Sequence, residues 1–112
     1  MAELITLPTH SDTRGSLTVL EKCLPFEIKR VYWMHHLSGE DRGGHRHLKT
    51  TQALVCMQGQ CEVTIKKNGE EDIYFLNNPT EALLLLPEDW HIFKHLTKDT
   101  LLLVMASHPY EA

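Results

Sequence analysis

Two histidines two residues apart, His45 and His47, are the residues of this chain whose types and spacing best suit chemistry. On a β-strand, residues i and i+2 point to the same face, so both imidazoles would enter one space. Gly43 and Gly44 precede them and let the backbone turn sharply or come close to a ligand. Because histidine titrates near neutral pH, such a pair can bind metal or move protons. A pair on a solvated edge is the alternative, since so short a motif is weak alone.

The residues that follow extend the pattern. Four residues separate His47 from Gln52, and six more separate Gln52 from Gly59. This spacing resembles the first cupin motif, G-x5-H-x-H-x3,4-E-x6-G, with Gln52 where the glutamate belongs. The segment Pro87–His91 resembles the second motif, P-x-G-x-x-H, but is one residue shorter and lacks the glycine. Two His, a Glu and a third His are the usual ligands for iron or manganese. A neutral amide is a weak ligand, so we expect no catalytic metal. We expect no other cofactor either, and the histidines are then free to transfer protons.

Arginines near the predicted strand edges form the second group of interest. Arg14, Arg30 and Arg42 are the members, and Arg14 and Arg42 each adjoin a glycine. A guanidinium can bind a diphosphate through two parallel hydrogen bonds. The chain has a formal net charge of -4, so an anion would need such a local cluster. The same acidity argues against a general nucleic-acid binder, which normally carries a basic face.

The elements that must position these residues are predicted to be strands. Short apolar stretches recur about every ten residues, at Leu4–Leu7, Ser16–Glu21, Ile28–His35, Gln52–Met57, Cys61–Lys66, Asp72–Leu76, Ala82–Leu86, Trp90–His95 and Thr100–Ala106. Cys61–Lys66 alternates apolar and polar residues, and Asn68-Gly69 after it is a strong hairpin signal. No segment shows helical spacing with caps. We therefore predict one all-β domain, residues 1–112, with a jelly-roll fold.

Two runs, Leu83–Leu86 and Leu101–Val104, are apolar at every position. Strands of this kind are buried on both faces. We expect the sandwich core to cover one face and a second subunit to cover the other, which predicts a dimer.

Composition indicates a cytoplasmic protein. The longest apolar run, Ala82–Leu86, is far too short to span a membrane, and the N-terminus has no secretory signal pattern. The cysteines, Cys23, Cys56 and Cys61, are odd in number and have no CxxC spacing. We interpret them as reduced, buried thiols.

Several segments together resemble one family, the dTDP-sugar 3,4-ketoisomerases. They are Asp12–Leu17, Pro25–Tyr32, Arg42–His47, Gln52–Gly59, Trp90-His91 and Val104–Ser107. The resemblance implies a metal-independent, dimeric cupin whose subunits exchange N-terminal strands. It also implies an isomerase that moves the carbonyl of dTDP-4-oxo-6-deoxyglucose from C4 to C3, toward the deoxyamino sugars of bacterial glycans such as O-antigen.

The resemblance also implies roles for individual residues. His45 and His47 are the expected catalytic pair, without an assignment of acid and base. Tyr32 would hold or polarise the sugar oxygens. Substrate binding is expected of four residues: Arg14 and Arg42 at the diphosphate, Gln52 at the sugar or a catalytic histidine, and His91 as acid or hydrogen-bond donor. His10, His35, His36, His95 and His108 receive no role.

Three other functions stay open at this point. A metal-dependent cupin enzyme would use His45, His47 and His91 as ligands. A binding module would hold a nucleotide sugar without turning it over. A 3,5-epimerase acting on the same 4-oxo sugar would exchange protons at C3 and C5 and leave the carbonyl at C4.

Overall fold

The computed structural model describes residues 2–110 and contains eleven strands and no helix within them. The strands are β1 (Glu3–Thr6), β2 (Thr9–Asp12), β3 (Gly15–Thr18), β4 (Arg30–Met34), β5 (Arg42–His45), β6 (Gln52–Gln58), β7 (Cys61–Lys67), β8 (Glu70–Leu76), β9 (Glu81–Leu85), β10 (Trp90–Lys94) and β11 (Leu101–Ala106). Each of the nine predicted stretches contains or overlaps a strand. β2 and β5 are additional.

The strands form two facing antiparallel sheets and one separate hairpin. The larger sheet has the order β1-β9-β6-β11-β4, and the smaller has the order β5-β10-β7-β8. β2 and β3 pair only with each other. Apart from β7 and β8, neighbours in each of the two sheets are distant in sequence, as in a Greek-key jelly roll. The predicted all-β, cupin-type jelly roll is confirmed.

Turn chemistry fixes the register of the smaller sheet. Asn68 and Gly69 join β7 to β8 with φ of 52° and 80°, the two positive values that a type I′ hairpin turn requires. In β7, Cys61, Val63 and Ile65 are fully buried, as the alternating pattern predicts. The predicted hairpin is therefore present.

The main core lies between the two sheets. The larger sheet contributes Leu54, Leu83 and Leu102, and the smaller contributes Val63 and Ile65. All are essentially inaccessible to solvent. Close packing of this core keeps the two sheets rigid, so that they can hold the residues of a site in fixed positions.

A second apolar cluster covers the outer face of the larger sheet. Ala53, Val55, Ala82 and Met105 are buried there, and the chain's own segment 20–26 packs over them. Leu103, from the second apolar run, packs against this cluster, so the chain itself covers part of the face that was expected to meet a second subunit. Exposed apolar side chains remain on this face at Val31, Trp33 and Met57.

No helix of the described residues is long and apolar enough to cross a membrane.

Candidate active site

Three histidines meet at one end of the smaller sheet. His45 is the last residue of β5, and the register of the antiparallel β5–β10 pair places it directly opposite His91. Ring centroids lie 5.2 Å apart for His45 and His47, 5.0 Å for His45 and His91, and 6.0 Å for His47 and His91. His47 follows two residues after the strand end, so the premise that one strand carries both histidines is wrong. Both rings nevertheless enter one space, as predicted.

The histidines line a cavity of about 520 Å³, a size typical of small-molecule sites. Its wall combines cationic and polar side chains with apolar ones. Residues lining it include Arg30, Tyr32, Met34, Arg42, Arg46, Gln52, Phe93, His108 and Tyr110.

Alternation along β4 aims two of these side chains into the cavity. Arg30 and Tyr32 face it, whereas Val31 and Trp33, 50% and 58% exposed, face away. The Arg30 guanidinium lies 4.3 Å from the centre of the Tyr32 ring, a cation–π distance. The buried Gln52 donates from Nε2 to the Tyr32 hydroxyl oxygen at 3.1 Å. Tyr32 can therefore donate its own hydroxyl hydrogen toward the cavity.

His91 is held as a neutral ring in one tautomer. Its side chain is buried, with the residue 2% exposed, and burial lowers its pKa to about 4. This value includes an opposing effect of the Asp89 backbone carbonyl and a smaller lowering by the charges of His45 and His47. Nδ1 lies 3.2 Å from that carbonyl, which can only accept, so Nδ1 carries the hydrogen. Nε2 is then an acceptor at neutral pH, which disfavours the predicted role of His91 as acid or donor.

His47 is also shifted toward its neutral form. Partial burial lowers its pKa below the ordinary value, and the positive charges of His45 and Arg30 lower it further. A neutral imidazole is the form that can accept a proton. The site thus combines unprotonated histidines with nearby cations.

The histidine set satisfies the distance requirement for a metal ion but lacks a carboxylate. The ligating nitrogens of His45, His47 and His91 all lie within 4.8 Å of one another. Gln52 stands where the motif has a glutamate, and its amide is engaged by Tyr32. A transition metal here would have three neutral imidazoles as protein ligands, as in some zinc sites.

Six of the seven predicted site residues line this cavity, and Arg14 does not. The six are Tyr32, Arg42, His45, His47, Gln52 and His91. Arg14 lies in the tight turn of the β2–β3 hairpin, where its side chain is 88% exposed and pairs with Asp12 at 2.6 Å.

The sequence interpretation gave no individual role to several residues that the structure places in the wall. Arg30 is one of them, and its spacing of two from Tyr32 on a strand is the signal that could have found it. His108 and Tyr110 follow the last strand, and no local pattern points to them. His108 Nδ1 lies 2.8 Å from the Ser107 hydroxyl, which in turn accepts from the Thr51 backbone N–H.

The fold and the site define a jelly-roll protein with a histidine-lined small-molecule cavity. The whole chain, residues 1–112, matches the family "FdtA: WxcM-like, C-terminal", and it belongs to that family. The resemblance drawn from the sequence is thereby confirmed.

Three relatives illustrate the similarity. A TDP-4-oxo-6-deoxy-alpha-D-glucose-3,4-oxoisomerase of Aneurinibacillus thermoaerophilus is 38% identical over 103 residues, covering 89% of this chain and 74% of that protein. QdtA, a sugar 3,4-ketoisomerase from Thermoanaerobacterium thermosaccharolyticum solved with TDP, is 35% identical with a TM-score of 0.94, covering 98% of this chain and 82% of that one. The RmlC epimerase of Mycobacterium tuberculosis has a TM-score of 0.84 at 18% identity, covering 98% and 64%, which shows the fold alone.

Proposed function

We propose that this protein is a metal-independent isomerase that moves the carbonyl of a dTDP-4-oxo-6-deoxyhexose from C4 to C3. The observation that carries the proposal is the cluster of His45, His47 and His91 beside arginines in one cavity, in a chain of this family. The relative at 38% identity is named as a 3,4-oxoisomerase of such a sugar, and the relative at 35% identity is named as a sugar 3,4-ketoisomerase. A carbonyl shift needs a base, a proton donor and charge stabilisation, and this cavity supplies residues for each.

In the proposed reaction His47 acts as the base, because its lowered pKa keeps it unprotonated. It removes the proton from C3 to give an enediolate, and the C3 hydroxyl proton passes to the neighbouring C4 oxygen. His45, whose ring adjoins that of His47, delivers a proton to C4. The C3 oxygen thereby becomes the new carbonyl, and the proton that His47 took from C3 returns to His45. One bond to hydrogen is broken and one is formed at carbon, so no oxidant is needed.

The remaining polar residues would stabilise and orient the intermediate. Tyr32 donates its hydroxyl hydrogen to a developing oxyanion, with Gln52 fixing the phenol. His91 accepts from a sugar hydroxyl through Nε2. Arg42 binds the diphosphate, which a guanidinium can hold through two hydrogen bonds.

We propose a homodimer in which the β2–β3 hairpin of one subunit packs against the other. An isolated two-stranded hairpin is marginal in water, and this hairpin exposes Leu17 as well as Arg14. The exposed Val31 and Trp33 offer an apolar face for such packing. This arrangement would direct Arg14 to the partner's substrate. Light scattering at micromolar concentration tests it: the wild type should be dimeric and Trp33→Glu monomeric, whereas a wild-type monomer would refute it.

Two further assignments accompany this function. Residues 1–112 form one cupin domain, because the core and the site draw on strands from both ends of the chain. The location is cytoplasmic, since three free thiols suit a reducing compartment.

Proton NMR in deuterium oxide tests the reaction. Chelator-treated protein is mixed with dTDP-4-oxo-6-deoxyglucose, and the carbonyl should move to C3 while deuterium arrives at C4. The double variant His45→Asn, His47→Asn should be folded and inactive. His95→Asn is the matched control, because His95 pairs with Glu62 on the surface and is not among the residues lining the cavity. Turnover by the double variant at the wild-type rate would eliminate the mechanism.

The same experiment separates the alternatives. Deuterium at C3 and C5 with the carbonyl still at C4 indicates an epimerase. Activity that disappears with chelator and returns with a transition metal indicates a metal-dependent enzyme using the three histidines. TDP binding without any exchange indicates a binding module.

A further inference from the structure

A tight turn connects β9 to β10 immediately before His91. Asp89 donates its backbone N–H to the Leu86 carbonyl at 3.1 Å, and its side-chain Oδ2 accepts from the Leu86 N–H at 2.9 Å. Glu88 has a φ of 71°, the left-handed conformation that a glycine would adopt more easily. Asp89 thus closes the turn from both its backbone and its side chain.

This turn contacts two of the three histidines directly. Glu88 donates its backbone N–H to the His47 carbonyl at 2.6 Å. The Asp89 carbonyl accepts from His91 Nδ1 at 3.2 Å. His47 lies beyond the end of β5 in a segment without regular structure, so the sheet ladder does not fix it. A shift of this turn would therefore move one histidine and release the other.

The Asp89 carboxylate is buried at an energetic cost that turn formation does not require. Its side chain is 0% exposed, and Oδ1 has no hydrogen-bond partner among residues 2–110. The only charge paired with it in the described residues is the Lys67 ammonium, 4.0 Å from Oδ1 and 3.4 Å from the Pro87 carbonyl. Neutral side chains close turns of this kind without burying a charge. A buried carboxylate tied to a lysine from β7 anchors the turn to the smaller sheet.

We propose that Asp89 is a positioning residue: its buried side-chain oxygen accepts from the Leu86 N–H, which locks the Leu86–Asp89 turn and thereby fixes His47 and the Nδ1–H tautomer of His91. The proposal rests on the proposed isomerase function for its kinetic consequence. Its structural consequence, the state of the His91 ring, is independent of any substrate. Asp89 touches no substrate and acts through the two histidines.

Two variants of nearly equal size test the role. Asp89→Asn keeps an oxygen that can accept from the Leu86 N–H, whereas Asp89→Leu removes the acceptor together with the buried charge. Asp89→Leu leaves the Leu86 N–H without its acceptor and Lys67 without its partner, so circular dichroism establishes first whether this variant is folded. Asn78→Ala is the matched control, because Asn78 also closes a turn through its side chain, at Thr80, and is not among the residues lining the cavity.

The assays are steady-state kinetics and nitrogen-15 NMR of the His91 ring. Asp89→Leu should lower kcat about 10- to 100-fold with a smaller change in KM, as a misplacement near 1 Å does. Its His91 spectrum should change from one Nδ1–H tautomer to a mixture. Asp89→Asn should restore the single tautomer and most of kcat, and Asn78→Ala should change neither.

Two results would overturn the proposal. One is a folded Asp89→Leu protein with a wild-type His91 spectrum. The other is a folded Asp89→Asn protein with mixed His91 tautomers, because the charge of Asp89 and not its closure of the turn would then be decisive. If Asp89→Leu does not fold, the result for Asp89→Asn alone tests the proposal. A wild-type enzyme without isomerase activity would refute the proposed function, while the NMR comparison would still test Asp89.

Discussion

Acidification should destabilise this fold through His91 in particular. The ring is buried and neutral, with a pKa of about 4 in the folded chain against an ordinary value of 6.5. Between these two values the unfolded chain binds a proton that the folded chain does not. Stability is therefore fully present above pH 6.5 and falls as the pH drops toward 4. The gap corresponds to about 3 kcal/mol at 1.36 kcal/mol per pH unit, of which about 2 kcal/mol is lost by pH 5.

Urea unfolding followed by circular dichroism measures this loss. Carboxylates also titrate in the range, so the informative quantity is the difference in unfolding free energy between the wild type and His91→Phe at each pH. That difference should shift by about 2 kcal/mol in favour of the variant between pH 7.5 and pH 5. His95→Phe, at a surface position, is the control and should show no such shift. A wild-type-minus-His91→Phe difference that is constant with pH would refute the burial argument.

Three other predictions follow from single contacts. Tyr32→Phe removes the proposed oxyanion donor and should lower kcat about 100-fold with KM almost unchanged; an equal rise in KM would indicate a binding role instead. Arg42→Ala removes a charge-assisted contact and should weaken TDP binding about 10- to 100-fold by calorimetry, whereas unchanged affinity would exclude Arg42 from the diphosphate site. Gly59→Ala should lower the unfolding free energy by about 2–3 kcal/mol in urea titration. The reason is that φ is +77° there and the new Cβ would lie 2.7 Å from Thr100 Cα; full stability would contradict the packing.

Local sequence patterns predict most of the strands. They miss the strands whose side chains show no alternation of apolar and polar residues. Alternation predicts β7, and Asn68-Gly69 predicts the turn after it, because both depend on adjacent residues. No residue of β5 is buried, and two of its four residues are glycines, so no apolar period marks it as a strand. β2 is likewise polar, and it pairs only with β3. These two strands depend on pairing partners and not on a buried face.

Most residues of the site could be predicted from the sequence, but their arrangement in space could not. The cupin spacing identifies His45, His47 and His91, but the distance between His45 and His91 depends on the register of β5 against β10, which includes a bulge after His91. Arg30 was recognisable as an arginine on a strand, yet its direction depends on which face of β4 meets the core. The separation of Arg14 from the cavity depends on where the β2–β3 hairpin lies relative to the two sheets. Long-range pairing, which a sequence pattern does not encode, decides each of these points.

The electrostatics of the cavity connect binding with proton transfer. Partial burial lowers the pKa of His47 most, and the positive charges of His45 and Arg30 lower it further, which keeps the base unprotonated but also makes it weaker. In the proposed reaction the positive charge of Arg30 also favours the enediolate, whose negative charge develops as the C3 proton leaves. A cation beside the base therefore acts before and after the proton transfer. In the free enzyme it disfavours the protonated form of His47. After the transfer it stabilises the negative charge of the substrate, which offsets its repulsion of the protonated His47. Replacing Arg30 with a neutral residue would make His47 a stronger base. The reaction would still be slower, because the negative charge that Arg30 stabilises develops as the C3 proton leaves.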